Sequence, residues 1–144
     1  MCGITGFISS TNVVETSDYY DAHLLIKHRG PEDEGFVGYD GNLLKLYKGN
    51  DTIRHFYDLP HINSVKYCKC LIGHRRLAII DLSWQGHQPL VDAGGRYAMA
   101  YNGEIFNYIE LREELSKEGV LFDSQTDSEV VFKAIIKWGN HAFN

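Results

Sequence analysis

The sequence predicts an α+β domain in which helices pack on the outside of β-strands. Three segments with helical periodicity alternate with short strand-like stretches, which is typical of a layered α+β domain. Asp40-Gly41-Asn42 between two such stretches is a good hairpin signal, and Thr126 three residues before Glu129 forms a capping box. The chain of 144 residues is 44% hydrophobic, enough for one domain with a real core.

Charge and composition exclude some classes of partner. Nineteen acidic residues against fourteen basic ones give a formal net charge of -5, which argues against nucleic acid or an anionic membrane surface as the partner. No apolar run is long enough to span a bilayer, and the start has neither a basic region nor an apolar signal core. We therefore expect a cytoplasmic protein, whose three cysteines do not form a disulfide framework.

The first predicted strand lies close to the start of the chain, just after residue 2. Its apolar residues Ile4, Phe7 and Ile8 are expected to anchor a short buried strand. Gly3 and Gly6 let the backbone approach a bound substrate closely. The strand is therefore expected to lie directly under the side chain of residue 2.

Cys2 becomes the first residue when an aminopeptidase removes Met1, a step that requires a small second residue. It then carries a thiol and a free α-amine, whose ordinary pKa values are ~8.5 and ~8. The amine can take the thiol proton, directly or through one water, and later return it to a leaving group. One residue would thus supply nucleophile and base. The alternative is an ordinary buried cysteine at a translation start.

A helix is predicted over residues 17–27, followed by two strands over residues 36–39 and 43–47. Gly30 and Pro31 end the helix. Three apolar residues at helical spacing form its inner face: Tyr20, Leu24 and Leu25. Residues 48–67 lack periodicity and contain Pro60, so we expect a surface insertion there.

A central strand is expected over residues 70–74. Cys68, Cys70 and His74 are metal-ligand types, but alternate strand residues share a face and no second cysteine pair completes a tetrahedral site. The two thiols are therefore assigned to packing.

Two arginines follow this strand, at positions 75 and 76, just before an apolar run. An arginine deep in an apolar stretch requires a buried anionic partner. A free amino acid could be that partner, because the guanidinium matches a carboxylate bidentately. A pair between Arg76 and Asp81 or another internal acid is the alternative.

Asn102-Gly103 follows a strand predicted over residues 96–101 and permits two interpretations. The first is a type I′ hairpin into residues 104–106. In the second, the Asn102 amide and the Gly103 N–H donate to the oxygen of a tetrahedral intermediate, where loss of one donor typically costs ~10²–10³ in rate.

Two helices are predicted in the last third of the chain. The first runs from Asn107, as its cap, to about Lys117, and the second from Thr126 to Trp138. A short strand, Val120–Phe122, separates them. Their apolar faces comprise Tyr108, Leu111 and Leu115 in the first helix, and Val131, Ala134, Ile135 and Trp138 in the second.

Four stretches, taken in order, resemble the class II glutamine amidotransferases, whose glutaminase domain is an N-terminal-nucleophile hydrolase. They are residues 1–4 (Met-Cys-Gly-Ile), 28–35 (His-Arg-Gly-Pro-Glu-Asp-Glu-Gly), 73–82 (Gly-His-Arg-Arg-Leu-Ala-Ile-Ile-Asp-Leu) and 101–107 (Tyr-Asn-Gly-Glu-Ile-Phe-Asn). The His-Arg-Gly-Pro form, with Gly-His-Gln-Pro at 86–89, is similar to the asparagine synthetase branch.

The resemblance implies a fold and a set of site residues. The fold is the four-layer αββα fold of N-terminal-nucleophile hydrolases, here truncated at its C-terminal end. Cys2 would be the nucleophile, and Asn102 and Gly103 the oxyanion hole. Four residues would bind glutamine: Arg76 at the α-carboxylate, Ile80, Glu104 near the α-amine end, and Asp127 at the α-ammonium. Arg75 would be structural.

The implied reaction is hydrolysis of glutamine to glutamate and ammonia. The ammonia would pass to an ATP-dependent synthetase domain that amidates aspartate or a related carboxylate. That domain, with its ATP and Mg²⁺, is absent from residues 1–144, which would form an incomplete glutaminase domain without a metal or cofactor of its own. A proteasome-like or acylase-type hydrolase is one rival, and it would lack the Arg76 and Asp127 pair. The more serious rival is a non-catalytic regulatory or interaction fragment.

The predicted strands are too few for two full sheets, yet the helix over 126–138 needs a sheet to pack on. Unpaired strand edges tend to associate. We therefore expect either marginal stability or association through the open edge, for example as a homo-oligomer.

Overall fold

The computed structural model of the chain describes residues 1–10, 16–66, 68–79 and 81–143. The chain divides into two units, each with its own hydrophobic core. The first, called here the sheet unit, comprises Met1–Ala78 and His87–Asn102. The second, the helical unit, comprises Ile79–Gly86 and Gly103–Asn144. The helices and antiparallel strands confirm the α+β class.

The sheet unit contains a four-stranded antiparallel sheet with the order β1-β4-β2-β3. Its strands are β1 (Gly3–Ile8), β2 (Asp33–Tyr39), β3 (Leu44–Tyr47) and β4 (Cys70–Arg76). Strand β4 pairs with both β1 and β2, which confirms the predicted central strand. The residues of β4 therefore have a hydrogen-bonded strand on each side.

The hairpin between β2 and β3 forms where the sequence predicts it. One carboxylate oxygen of Asp40 accepts the backbone N–H groups of Asn42 and Leu43, each at 2.9 Å. Gly41 has φ = 102°, a conformation that costs little only for glycine. The turn chemistry is thus fully local, which is why the sequence alone reveals it.

A second antiparallel pair joins β5 (Leu90–Val91) to β6 (Ala98–Met99). The strand predicted over residues 96–101 is therefore too long. The carboxylate of Asp92 accepts the N–H groups of Arg96 and Tyr97 at 2.7 and 2.6 Å. Because a turn uses these two donors, they do not join a strand ladder.

Strand β1 has the predicted location but not the predicted burial. Its side chains alternate, so Phe7 packs on the core while Ile4 and Ile8 are 44% and 84% exposed. Only one face of the strand meets the core of the sheet unit. The prediction that all three apolar residues anchor a buried strand is wrong for Ile4 and Ile8.

Helix α1 (Thr16–Leu25) packs on this sheet, followed by a 3₁₀ turn over Lys27–Arg29. Tyr20 is buried as predicted, but Leu25 is 77% exposed and the prediction for it is wrong. His23 is fully buried instead. Its Nδ1 is 2.8 Å from the hydroxyl of Thr5, and this hydrogen bond lets a polar ring occupy the core.

Residues 48–66, predicted as a surface insertion, are exposed along much of their length but also place apolar side chains in the core. Ile62 is fully buried and Val65 is 7% exposed, both in the same cluster as Phe36 and Leu71. Two 3₁₀ turns, Arg54–Phe56 and Ile62–Ser64, carry the segment across the unit. Isolated apolar anchors in such turns leave no periodic pattern, so the sequence conceals their burial.

The helical unit contains α2 (Tyr108–Lys117) and α3 (Asp127–Trp138), with bounds that match the prediction. Three residues form its buried core, namely Leu115, Val130 and Ala134, and Tyr108, Leu111 and Trp138 are among those that pack on it. Asn107 is the N-cap residue of α2, as predicted, but its side chain makes no cap hydrogen bond. The cluster uses Val130 rather than the predicted Val131, which makes the inner face of α3 the 130, 134, 138 row.

The connection between α2 and α3 is irregular, and the short strand predicted over Val120–Phe122 does not form. Val120 and Phe122 pack on the helical core, while Leu121 is 82% exposed. The Val120 N–H donates to the Leu115 carbonyl at 3.0 Å. That bond satisfies one carbonyl at the end of α2 and occupies an N–H that a strand ladder would need.

Half of the predicted capping box is present at the start of α3. The Thr126 hydroxyl accepts the Glu129 N–H at 3.2 Å. The Glu129 carboxylate, however, accepts the N–H groups of Asp123 and Ser124, not that of Thr126. Burial raises the pKa of Glu129, but these hydrogen bonds outweigh it and lower the pKa overall.

Among the described residues, no helix combines the length and hydrophobicity needed to cross a membrane.

Candidate functional site

Cys2 lies just before β1, beside the end of the central strand. Its sulfur accepts the Leu77 N–H at 3.4 Å and lies 3.7 Å from the Leu77 carbonyl oxygen. The pairing of Gly3 with Arg75 fixes this placement, because the two strands run antiparallel. An N–H donor aimed at the sulfur can stabilise negative charge there, as a nucleophilic thiolate requires.

The backbone of Cys2 is also held in place. The Arg29 Nε donates to the Cys2 carbonyl at 3.0 Å. A Cβ at Gly3 would lie 2.7 Å from the end of the Ile26 side chain, so a larger residue here would require that side chain to move. Arg29 therefore lies beside Cys2, whereas Gly35, later in the same sequence stretch, lies within β2.

A buried ionic network lies under this turn, centred on Arg75. The Arg75 side chain is fully buried and contacts the carboxylates of Glu34 and Asp51, at 2.5 and 3.0 Å. Its Nε donates to the Gly30 carbonyl at 3.1 Å. Arg75 thus ties β4 to the turn that holds Cys2, and its predicted structural role is confirmed.

Glu34 is anionic in this network although it is buried. Burial raises the pKa of its carboxyl, but the His23 ring 3.5 Å away, the N–H of Asp51 and the charge of Arg75 together lower the pKa to about 2. The hydroxyl of Tyr20 also donates to Glu34, and burial raises the pKa of that tyrosine to about 12. The sheet unit therefore keeps a compensated charge pair in its interior at neutral pH.

Arg76 ends β4 next to Leu77, the residue that contacts the Cys2 sulfur. It is 6% exposed, so its charge is largely removed from bulk water. Asp33 faces Arg76 across the β2–β4 pairing. The Asp33 carboxylate is also engaged elsewhere, because it lies 2.7 Å from the His87 Nδ1 and accepts the Ile53 N–H at 3.1 Å.

Asn102 follows a residue that β4 holds through His74. The ring Nε2 of His74 is 3.1 Å from the Tyr101 carbonyl oxygen, and the Tyr101 N–H donates to the Gln88 side chain at 2.7 Å. Residues 102–105 form no strand, so the hairpin interpretation of Asn102-Gly103 is wrong. Within the sheet unit, residues 74–77 therefore contact Cys2 through Leu77 and hold Tyr101, the residue before Asn102, through His74. Arg76 lies between these two contacts.

In the helical unit, Asp127 and Glu104 lie close together. Asp127 is 8% exposed at the start of α3, and its Oδ2 accepts the N–H of Ile105 at 3.2 Å. Glu104 and Gly103 are exposed on the same stretch. The Arg112 guanidinium holds this corner by donating to the carbonyls of Ser124 and Thr126. Ile80, the remaining predicted glutamine-binding residue, lies outside the described residues.

Sequence reasoning missed three of the groups that build this region: Glu34, Asp51 and Gln88. The signal for the first two was present, because the need for a buried anionic partner applies to Arg75 as well as to Arg76. The Gly-His-Gln-Pro stretch marks Gln88 but not its partner, because the contact with Tyr101, 13 residues away, depends on the β5–β6 pairing between them. Over the described residues no group of three or more His, Cys, Asp or Glu could hold a metal ion.

Comparison with known proteins adds a family match to this geometry. Residues 58–144 match the family model described as a glutamine amidotransferase domain. This stretch includes Arg76, Asn102, Glu104 and Asp127, and it covers more than half of the chain.

Curated relatives of several kinds resemble the chain. It is 34% identical to a putative glutamine-hydrolyzing asparagine synthetase of Methanocaldococcus jannaschii, over 96% of this chain and 24% of the relative. It is 35% identical to an amidophosphoribosyltransferase of Methanothermobacter thermautotrophicus, over 90% of this chain and 28% of the relative. A glutamine–fructose-6-phosphate aminotransferase of Sulfolobus acidocaldarius is 33% identical over 91% of this chain and 22% of the relative.

A solved structure shares the fold. Glutamine phosphoribosylpyrophosphate amidotransferase from B. subtilis, complexed with ADP and GMP, superposes with a TM-score of 0.74 at 29% identity. The match covers 97% of this chain and 30% of that protein. It confirms the predicted N-terminal-nucleophile hydrolase fold class. The chain spans less than a third of the length of each of these relatives.

Proposed function

The chain belongs to the class II glutamine amidotransferases, and from this membership we propose that it hydrolyses the side-chain amide of glutamine with Cys2 as the nucleophile. The observation that carries the proposal is the placement of the Cys2 sulfur. It lies against the Leu77 N–H, one residue from the buried Arg76. A nucleophile and a cation suited to a carboxylate thus occupy the same end of β4.

In the proposed reaction the α-amine of Cys2 takes the thiol proton, and the sulfur attacks the amide carbon of glutamine. The carbonyl oxygen becomes an oxyanion, to which the Asn102 amide and the Gly103 N–H donate. The protonated amine gives its proton to the amide nitrogen, the C–N bond breaks, and ammonia leaves. Water then cleaves the thioester, which releases glutamate and restores the thiol.

Four residues bind the substrate in this proposal. Arg76 pairs with the α-carboxylate, and its burial supports the role because a desolvated guanidinium favours a bidentate anion. Asp127 accepts the α-ammonium with the help of Glu104, and the bond between Asp127 and the Ile105 N–H keeps both acids in one corner. Ile80 completes the set.

We further propose that the ammonia serves an asparagine-synthetase-type domain elsewhere in the protein. The His-Arg-Gly-Pro form at 28–31 and Gly-His-Gln-Pro at 86–89 support this acceptor over the purine and glucosamine branches. ATP and Mg²⁺ belong, in this proposal, to that domain. The proposed reaction at Cys2 itself uses a thiol, an amine and water.

Glutamate release by the purified chain tests the proposal directly. We expect glutamate and ammonia to appear in equal amounts from glutamine, and none from asparagine, whose shorter side chain misplaces the amide. Binding of glutamine without any glutamate release would favour the rival, a non-catalytic regulatory fragment. Addition of aspartate and ATP to the full-length protein would then test the acceptor.

Removing the substrate-binding charges is expected to weaken glutamine binding. Arg76→Ala and Asp127→Ala each remove one clamp on the backbone end of the substrate, so KM should rise about tenfold or more, with a smaller fall in kcat. Asp127→Asn keeps an acceptor for the Ile105 N–H, so a rise in KM in this variant reflects the lost charge and not a lost structural hydrogen bond. Arg54→Ala, at an exposed arginine, is the matched control. An unchanged KM in both site variants would contradict the assignment.

Retention of Met1 is expected to abolish activity. While Met1 remains, the nitrogen of Cys2 is an amide and cannot accept the thiol proton. Activity should therefore track the trimmed fraction, measured by intact mass, in preparations made with and without added methionine aminopeptidase. A fully active pool in which every chain still carries Met1 would rule out the N-terminal amine as the base.

A further inference from the structure

Tyr101 is a residue whose two backbone polar groups are both held by buried side chains. The Nε2 of His74 lies 3.1 Å from its carbonyl oxygen, and the Oε1 of Gln88 accepts its N–H at 2.7 Å. Neither group of Tyr101 is in a strand ladder, and residues 102–105 have no regular secondary structure. Two side chains therefore do what a ladder would otherwise do for this backbone.

His74 is well suited to hold one fixed position. It is fully buried on the central strand β4, opposite Ile4 on one side and Gly35 on the other. Burial lowers its pKa to about 4, so the ring is neutral at physiological pH. Since a carbonyl oxygen only accepts, the single ring proton must be on Nε2, and the ring donates to Tyr101.

Gln88 is held equally firmly from behind. Gln88 is 6% exposed, and its backbone carbonyl oxygen would be only 2.4 Å from a Cβ at Gly35. Because Gly35 has no side chain, the backbone of Gln88 can lie directly on the sheet. The preceding His87 is 2.7 Å from Asp33 and stacks on Phe56 with ring centroids 4.1 Å apart. The Gln88 amide thus has a fixed base from which to reach Tyr101.

We propose that His74 and Gln88 are positioning residues: by holding the backbone of Tyr101, they fix the position of the Asn102 side-chain amide. The inference rests on the proposed function, in which Asn102 donates to the oxyanion. Donors of this kind stabilise a transition state only when they are already oriented, and small displacements cost rate steeply. Asn102 is exposed and outside any regular element, so its orientation depends on the residue before it.

The test is a double-mutant cycle between Gln88 and Asn102. Gln88→Met keeps the side-chain length but removes the acceptor, and we expect kcat to fall by about 10–100-fold with KM changed less than about twofold. In an Asn102→Ala background the same change should cost almost nothing, because the group that the clamp positions is already gone. Gln85→Met, at an exposed glutamine three residues earlier, is the matched control.

Hydrogen exchange gives a readout that does not depend on activity. The Tyr101 amide should be protected in the parent chain and in Gln85→Met, and unprotected in Gln88→Met. At His74, glutamine can present an N–H near the position of Nε2, so His74→Gln should retain more of kcat than His74→Leu. If Gln88→Met fails to fold, the comparison of the two His74 variants still tests the proposal.

The outcomes separate the clamp from the proposed function. An Asn102→Ala variant with parental kcat would refute the oxyanion role, and the clamp with it. Multiplicative losses in the double variant, or an unchanged kcat in Gln88→Met while Asn102→Ala is impaired, would overturn the clamp alone. Loss of Tyr101 protection with non-additive kinetics is the expected result.

Discussion

Replacing Cys2 with serine is expected to lower the rate of glutamate release by at least about 10³-fold while leaving the chain folded. Serine differs from cysteine at one atom, and its hydroxyl can still accept the Leu77 N–H that now contacts the sulfur at 3.4 Å. The hydroxyl is nevertheless a far poorer nucleophile beside the same weak base. Binding of glutamine should persist, because Arg76 and Asp127 are unchanged.

A second cysteine supplies the control for this experiment. Cys70 is a half-buried residue at the start of β4, and Cys70→Ser makes the same atomic change there. It should leave kcat within about twofold, since the proposed reaction does not use that thiol. Glutamate release by Cys2→Ser at the parental rate, with identical circular dichroism in the two variants, would remove Cys2 from the mechanism.

The largest expected effect on stability comes from the buried pair of Glu34 and Arg75. Glu34→Gln removes the anion that contacts the fully buried guanidinium, and Asp51 then provides the remaining negative charge near it. Loss of one partner from a buried pair typically costs about 3–5 kcal/mol, because the other charge stays desolvated. We expect the free energy of unfolding in urea to fall by about 3 kcal/mol, and Glu113→Gln, at an exposed acid, to leave it unchanged.

The same pair predicts how stability depends on pH. The pKa of Glu34 falls from an ordinary 4.5 to about 2 on folding, so the unfolded chain binds the proton more tightly than the folded chain. The contribution of Glu34 is therefore fully present above about pH 4.5 and is lost as the pH falls toward 2. Urea midpoints measured across this range should drop more steeply for the parent chain than for Glu34→Gln. Parallel pH profiles would contradict the assignment of this carboxylate as a buried anion.

Local chemistry determined much of this protein from its sequence. The Asp40-Gly41-Asn42 turn, the bounds of α2 and α3 and the cap at Thr126 each depend on contacts within a few residues, so their patterns were visible. The family motifs likewise identified the candidate site residues. The strand predicted over residues 96–101 is too long because a competing contact uses two of its backbone donors. The Asp92 carboxylate accepts the N–H groups of Arg96 and Tyr97.

Tertiary structure alone decided which buried groups pair with which. The sequence shows two adjacent arginines that need an anion, but only the register of β2 and β4 brings Glu34 to Arg75. Ile62 enters the core from an irregular segment, and Gln88 reaches Tyr101 only because Gly35 leaves room on the sheet. These contacts join residues far apart in the chain, and no periodicity records them, because a single buried contact fixes one position and not a repeat.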